Sequence, residues 1–219
     1  MKVLVTGGLG FIGSNFIIKL LEHEDISIVN IDAELYGSDH RNLSEVDNSD
    51  RYDFVKGNIS NKKFMEEQIG KCDVVVNFAA ESHVDRSIND ANPFLVSNIR
   101  GAFTILDIIT KQKKRMVQIS TDEVFGSLVE GTANEQSRFN PSSPYAATKA
   151  AAELLINSYS ITFDSDIIIT RCTNNYGPRQ FVEKLIPKTI ILANKNLKIP
   201  IYGNGKNIRD WIFVDNHCD

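Results

Sequence analysis

Two acidic residues, Asp122 and Glu123, directly follow a run that reads as a buried strand, within "VQISTDEVFG". Ionised carboxylates this close together raise each other's pKa. Such a pair is therefore solvated, balanced by cations, or used for proton transfer between two groups of unequal pKa. Neighbouring residues of an extended strand point to opposite faces, so both carboxylates can face one ligand only if the backbone turns. We predict a turn or a short helical twist at this position.

Tyr145 and Lys149 form a second candidate pair, within "SPYAATKAAAELL". A spacing of four residues places both side chains on one face of a helix, and Pro144 favours a helix start. A nearby lysine is expected to lower the pKa of a phenol, so Tyr145 could act as a general base. The alternative interpretation is an unremarkable pair on a helix surface.

Three glycines lie between the first predicted strand and the first predicted helix: Gly7, Gly10 and Gly13 in "VTGGLGFIGS". Glycine permits a tight turn and a close approach of the backbone to a pyrophosphate, and the helix N-terminus supplies free N–H donors. Asp32 follows at the end of the second predicted strand, where a carboxylate can bind a ribose diol. This pattern predicts a dinucleotide site. Since the carboxylate would repel a 2′-phosphate, it favours NAD over NADP.

The elements that must position these residues alternate between apolar, β-branched runs and amphipathic segments. This order predicts an α/β fold: a Rossmann-like, doubly wound parallel sheet with helices on both faces. The predicted strands lie near Lys2–Thr6, Ser27–Asp32, Tyr52–Lys56, Asp73–Phe78, Met116–Ser120 and Asp166–Arg171. The predicted helices lie near Phe11–His23, Asn61–Ile69, Pro93–Lys113 and Tyr145–Phe163.

The pattern changes after Arg171, where turn residues become frequent, and it predicts a second small lobe. A helical run follows, then the strand "WIFV", and Asp215 is a good N-cap for a helix that the chain does not continue. We therefore divide the chain into a nucleotide-binding domain that carries the catalytic residues, 1–172, and a small, incomplete lobe, 173–219.

Composition excludes several classes of protein. The formal charge of −4 comes without a basic stripe, so no nucleic-acid partner is expected. The apolar N-terminal segment is too short for a signal peptide and no run approaches the length of a membrane span, which predicts a cytoplasmic protein. The three cysteines lie far apart, and the four histidines lack the spacing of paired metal ligands. No metal site is predicted.

Several blocks resemble the extended short-chain dehydrogenase/reductases that act on nucleotide sugars, and among them the dTDP-glucose 4,6-dehydratases. The resemblance covers essentially the whole chain. The blocks are "TGGLGFIGS", "AAESHVDRS", "STDEVFG", "SPYAATKAAAE", "TNNYGPRQFVEKLIP" and "IYGNGKNIRDWIFV".

The resemblance implies a reaction. Tyr145 would take the proton of the C4 hydroxyl of the sugar while a hydride passes to NAD, and Thr121 would hydrogen-bond the C4 oxygen. Glu123 would then remove the C5 proton, and protonated Asp122 would assist departure of the C6 hydroxyl. The hydride returns to C6. Lys149 would bind the nicotinamide ribose and tune Tyr145.

The resemblance also implies the site residues. Those expected to bind NAD are Gly7, Gly10, Phe11, Ile12, Gly13, Asp32, Ala33, Asn58, Ile59, Ala79, Ala80, Ser82, Ser97, Asn98, Tyr145, Lys149 and Asn175. Those expected to bind the nucleotide-diphosphate sugar are Ser82, Asp85, Thr121, Asn174, Lys184, Leu185, Pro200, Tyr202 and Arg209. Family members form dimers through the helices near Pro93–Lys113 and Tyr145–Phe163, which implies a homodimer.

Three departures accompany the resemblance. Asn58 stands where an Asp is usual, near the expected adenine site, and Phe125 stands where a Tyr is common. The family also continues well beyond "RDWIFVDNH", which implies a C-terminally truncated protein or a fragment that turns over poorly.

Other activities remain open at this point. A 4-epimerase or decarboxylase would share the glycine loop, Tyr145 and Lys149 but has no need of the paired acids. A UDP-sugar 4,6-dehydratase differs only in the base, and a methyl group gives little discrimination. The non-enzymatic alternative is an NAD-binding module without turnover.

Overall fold

A six-stranded parallel sheet forms the centre of the molecule, in a computed structural model that describes residues 1–128, 130–201 and 203–219. The strand order is β3-β2-β1-β4-β5-β6, the order of a doubly wound nucleotide-binding sheet. The predicted fold class and all six predicted strands are confirmed. The strands are β1 Lys2–Thr6, β2 Ser27–Asp32, β3 Tyr52–Lys56, β4 Val74–Asn77, β5 Arg115–Thr121 and β6 Ile167–Cys172.

The sheet is covered on both faces because its strands are apolar on both faces. Leu4 of β1 points into one core cluster together with residues of the later helices, whereas its neighbours Val3 and Val5 point into a second cluster that contains Ile17. Side chains alternate along a strand, so a continuous apolar run supplies both layers.

Most helices lie where they were predicted. The chain has α1 Phe11–Leu20, α2 Lys62–Gly70, α3 Val84–Asn89, α4 Asn92–Phe94, α5 Ala102–Gln112, α6 Pro144–Phe163, α7 Leu185–Asn194 and α8 Val214–Cys218. A π-helical stretch, Leu95–Gly101, joins α4 to α5. Helix α6 begins at Pro144 as expected, and the side chain of Ser143 caps it by accepting a hydrogen bond from the backbone N–H of Ala146 at 3.1 Å.

The small lobe contains a two-stranded parallel sheet of β7, Asn174–Tyr176, and β8, Trp211–Phe213. Strand β7 was not predicted, because its three residues lie in a stretch rich in turn formers. The prediction for the last helix was wrong in one detail. Helix α8 begins at Val214, so Asp215 lies in its first turn and does not cap it.

Candidate active site

One large cavity, of about 840 Å³, lies at the carboxyl ends of the central strands. Most of the residues predicted for the site line it. From residues 1–172 these are Gly7, Gly10, Phe11, Ile12, Gly13, Asp32, Ala33, Asn58, Ile59, Ala79, Ala80, Ser82, Ser97, Thr121, Asp122, Glu123, Tyr145 and Lys149. From residues 173–219 they are Asn174, Asn175, Lys184, Leu185 and Arg209.

The three glycines of the loop differ in backbone conformation and in the space that a Cβ would have. Gly7 has a φ of +73°, and a Cβ there would lie 2.6 Å from the backbone nitrogen of Ala79. A Cβ on Gly13 would lie 2.5 Å from the carbonyl oxygen of Gly7. Gly10 has the ordinary φ of −76°, and a Cβ there would meet only the Gly7 oxygen, at 3.2 Å. The fold therefore requires glycine at positions 7 and 13, whereas at position 10 the open space faces the cavity.

Asp32 is buried at the carboxyl end of β2 and holds the loops around it. Its Oδ2 accepts a hydrogen bond from the backbone N–H of Leu9 at 3.1 Å, and its Oδ1 accepts from the N–H of Glu34 and the hydroxyl of Ser38, both at 2.8 Å. A carboxylate oxygen can accept more than one hydrogen bond. Together with the glycine loop and the N-terminus of α1, this arrangement fits a dinucleotide.

Asn58 lies at the rim of the same part of the cavity. Its Oδ1 accepts hydrogen bonds from the backbone N–H and the hydroxyl of Ser60, at 2.9 and 2.8 Å. An aspartate would satisfy both donors equally well. The Asn58 amide therefore changes the charge near the expected adenine site without changing the local turn.

The paired acids lie on the turn that was predicted for them. A 3₁₀ helix covers Asp122–Phe125 directly after β5, and the Thr121 hydroxyl accepts a hydrogen bond from the backbone N–H of Glu123 at 3.3 Å. This change of direction brings Asp122 and Glu123 to the same cavity.

Burial raises the pKa of both carboxyl groups. For Glu123 the negative charge of Asp122 adds to this effect, while the cations Lys184 and Arg209 oppose it. For Asp122 hydrogen bonds from Thr173 and Thr121 oppose it. The two acids therefore share a cavity but not an electrostatic environment.

Tyr145 and Lys149 lie on one face of α6, at the floor of the cavity. The expected lowering of the Tyr145 pKa is not found in the protein alone. Burial and then the charge of Glu123 raise the pKa of Tyr145. Burial also lowers the pKa of Lys149 to about 8, and its ammonium donates a hydrogen bond to the carbonyl oxygen of Ile119 at 2.6 Å. For both groups, desolvation by burial is the largest effect on the pKa.

A few predicted residues lie elsewhere. Asn98 is buried beside the cavity, where its amide bonds the backbone of Glu81 and the hydroxyl of Thr148. Asp85 and Pro200 are exposed and do not line the cavity. Tyr202 lies outside the described residues. The binding roles of these four residues, like those of the residues that line the cavity, stay predictions.

The cavity has further wall residues that were not predicted. Tyr36, from the loop after β2, packs edge to face against Phe181 from the small lobe, with ring centroids 5.2 Å apart. The Arg86 guanidinium carbon lies 4.2 Å from the Tyr36 ring centroid. Phe181 belongs to a block that the resemblance had marked, but no signal in the sequence indicated Tyr36 except its place after β2, the strand that ends in Asp32.

Two features are absent from the part of the chain that the structure describes: a cluster of metal ligands and a membrane-spanning helix. Neither 1–128, 130–201 nor 203–219 contains a group of three or more His, Cys, Asp or Glu that could hold a metal ion. Of the helices in these ranges, none is both long and apolar enough to cross a lipid bilayer.

Comparison with known proteins places the chain in a family. The model of the GDP-mannose 4,6-dehydratase family matches residues 4–219. The low-salt glycan biosynthesis protein Agl12 of Haloferax volcanii is 47% identical over 219 residues, which are 100% of this chain and 71% of that protein. A dTDP-glucose 4,6-dehydratase of Actinoplanes sp. is 43% identical over 225 residues, which cover 100% of this chain and 70% of that protein.

A solved structure agrees. The crystal structure of DesIV, a dTDP-glucose 4,6-dehydratase from Streptomyces venezuelae with NAD and TYD bound, superposes with a TM-score of 0.96 at 42% identity. The superposition covers 100% of this chain and 70% of DesIV. The chain therefore belongs to the 4,6-dehydratase family of nucleotide-sugar enzymes, within the extended short-chain dehydrogenase/reductases.

Proposed function

We propose that the chain is an NAD-dependent dehydratase that converts dTDP-glucose into dTDP-4-keto-6-deoxyglucose. The observation that carries this proposal is that Asp122 and Glu123 line the same cavity as Tyr145 and Lys149. A 4-epimerase or a decarboxylase has use for the last two residues but not for the first two. The similarity to dTDP-glucose 4,6-dehydratases supports dTDP-glucose as the substrate.

The residues around the glycine loop fit the cofactor. NAD held there would supply the acceptor for the hydride from C4 of the sugar and the donor of the hydride to C6. The free N–H groups at the start of α1 and the open space at Gly10 suit a pyrophosphate. The Asp32 carboxylate suits a ribose diol and disfavours a 2′-phosphate. Lys149 would hold the nicotinamide ribose.

The proton transfers belong to the chain itself. Tyr145 takes the proton of the C4 hydroxyl, and Thr121 hydrogen-bonds the C4 oxygen. A ketone at C4 makes the C5 proton acidic, and the Glu123 carboxylate removes it. Asp122, in its neutral form, gives its proton to the departing C6 hydroxyl, which leaves as water. Burial raises the pKa of Asp122, which favours its neutral form, and Lys184 and Arg209 favour the ionised form of Glu123 against the same effect of burial.

The two parts of the chain would divide the binding. Residues 1–172 hold NAD and carry the catalytic groups, and 173–219 contribute to the site for the nucleotide diphosphate, with the Arg209 guanidinium suited to phosphate.

Exposed apolar side chains on the π-helical stretch, α5 and α6 support a homodimer. These are Leu95, Phe103, Leu154 and Phe163. Three free cysteines support a reducing compartment, the cytoplasm.

The deciding experiment supplies the chain with NAD and dTDP-glucose and looks for the 4-keto-6-deoxy sugar nucleotide. In E123Q we expect NAD binding to persist while incorporation of solvent deuterium at C5 stops, because the amide cannot take a proton. The shape of the side chain is unchanged, so the fold should be retained. Full dehydratase activity in E123Q would refute the role of Glu123, and a wild-type chain that binds NAD but forms no product would refute the proposed reaction.

A further inference from the structure

A buried carboxylate, Glu153, lies behind the candidate catalytic residues and takes no part in the proposed proton transfers. It is 0% exposed. It follows Lys149 by four positions and Tyr145 by eight, so the three side chains share one face of α6. A carboxylate this deep needs charged or polar partners, since an isolated one would be strongly destabilising.

Glu153 has two partners, and both lie at the end of the sheet. The Ser120 hydroxyl donates a hydrogen bond to its Oε1. Arg171 donates to its Oε2 through Nε at 2.9 Å and through Nη2 at 2.7 Å. Ser120 of β5 and Arg171 of β6 are register partners in the sheet. Glu153 therefore connects α6 to both β5 and β6. Its contact with β5 is at Ser120, the residue before Thr121.

Arg171 extends this connection to the turn that carries the paired acids. Its guanidinium carbon lies 5.3 Å from the ring centroid of Phe125 and 5.4 Å from that of Phe139. Phe125 is the last residue of the 3₁₀ helix that begins at Asp122. A guanidinium over an aromatic face is favourable, more so when it is shielded from water. One ion pair thus links the helix of Tyr145 to the turn of Asp122 and Glu123.

Glu153 also contributes to the charge around Lys149. Tyr145 shares the helix face with Lys149, the Ile119 carbonyl contacts it from β5, and Cys172 faces it from β6. Burial favours the neutral amine, whereas negative charge on Cys172 and on Glu153 favours the ammonium. Burial raises the pKa of Cys172 to about 11, so near neutral pH that thiol carries no charge. Of the two neighbours, the one in an ion pair is Glu153, which binds Arg171.

We infer that Glu153 is a positioning residue: through Arg171 and Ser120 it holds Tyr145 and Lys149 against the turn of the paired acids, and it places a buried carboxylate one helical turn from Lys149. Its effect on turnover rests on the proposed function, but its effect on Lys149 does not. Glu153 touches neither the substrate nor the cofactor in this assignment.

The effect of the Glu153 charge on Lys149 is tested with E153Q, which keeps the size of the side chain. Lysine side-chain ¹⁵N NMR across a pH series gives the titration midpoint of Lys149, whose signal is identified by its loss in K149M. We expect the midpoint in E153Q to fall by about one pH unit. D107N is the matched control, since it removes a paired carboxylate, bound to Lys62 and Lys111, from α5 and not from the helix that carries Lys149. D107N should leave the midpoint unchanged. An unchanged midpoint in folded E153Q overturns the inference.

The positioning is tested with E153D, which keeps the charge and keeps Arg171 paired, so that it folds even if E153Q does not. The shorter side chain should restore the wild-type Lys149 midpoint while kcat for dehydration falls about tenfold, because small displacements of catalytic groups are costly. An unchanged kcat in E153D overturns the positioning role. If the wild-type chain forms no product, the proposed function fails, and the Lys149 midpoint in E153Q still decides the inference about Glu153.

Discussion

Gly10→Ala tests the glycine loop most directly, because we expect glycine at position 10 to matter for NAD binding but little for the fold. The residue has an ordinary φ of −76°, and a Cβ on it would contact only the Gly7 carbonyl oxygen, at 3.2 Å. It is also the N-cap of α1, where alanine is a poorer residue than glycine. We expect G10A to lower the free energy of unfolding by only about 1 kcal/mol.

The effect on NAD binding should be larger. The added methyl group occupies the space through which a pyrophosphate approaches the helix N-terminus, and crowding of this kind costs about 1–3 kcal/mol. Since 1.4 kcal/mol corresponds to a factor of ten in affinity, we expect the dissociation constant for NAD to rise by about tenfold or more. Isothermal titration calorimetry gives the affinity, and urea unfolding without NAD gives the stability.

Gly13→Ala is the matched control, because there the crowding lies inside the protein. Its Cβ would lie 2.5 Å from the Gly7 carbonyl oxygen and 3.0 Å from the Gly8 Cα. G13A should therefore lose about 1–3 kcal/mol of stability before any ligand is added. If G10A binds NAD as tightly as the wild type, the glycine loop does not approach a pyrophosphate and the nucleotide assignment is wrong.

Two further predictions concern Asp32 and Lys149. D32N should raise the dissociation constant for NAD more than that for NADP, measured by calorimetry, because the amide no longer repels a 2′-phosphate; an unchanged preference would remove Asp32 from the ribose site. Burial lowers the pKa of Lys149 from 10.5 to about 8, so between these values the unfolded chain binds more protons and stability rises with pH. From pH 8 to pH 9 the free energy of unfolding of the wild type should gain about 1 kcal/mol relative to K149M. Parallel unfolding curves of the two proteins across this range would contradict the lowered pKa.

Local sequence predicted the sheet well because a parallel strand buried on both faces is apolar over most of its length, as β1 and β4 are. The turn at Asp122 was predictable for a different reason, since two adjacent acids cannot share a ligand on an extended strand. The glycine loop was predictable because each glycine satisfies a separate geometric need. In these cases the chemistry of a few consecutive residues decides the structure.

Contacts between distant segments were not predictable. Glu153 stands in an Ala-rich helix, where a glutamate usually faces solvent, and only the tertiary structure brings Ser120 and Arg171 to it. The Tyr36 and Phe181 rings meet across 145 positions of sequence without any shared motif. The predicted direction of the Tyr145 pKa shift was wrong, because the spacing of the two residues indicates that a lysine is near but not how deeply both groups are buried.

Residues 173–219 do more than extend the cavity, because their side chains act on both of the paired acids. Lys184 and Arg209 lower the pKa of Glu123 against the effects of burial and of the Asp122 charge. A hydrogen bond from Thr173 lowers the pKa of Asp122, whereas the charge of Asp210 raises it. A dehydration across C5 and C6 needs one carboxylate and one carboxylic acid at the same moment. Because burial raises the pKa of both carboxyl groups, the different groups around each of them, and not their adjacent places on one turn, distinguish the two acids.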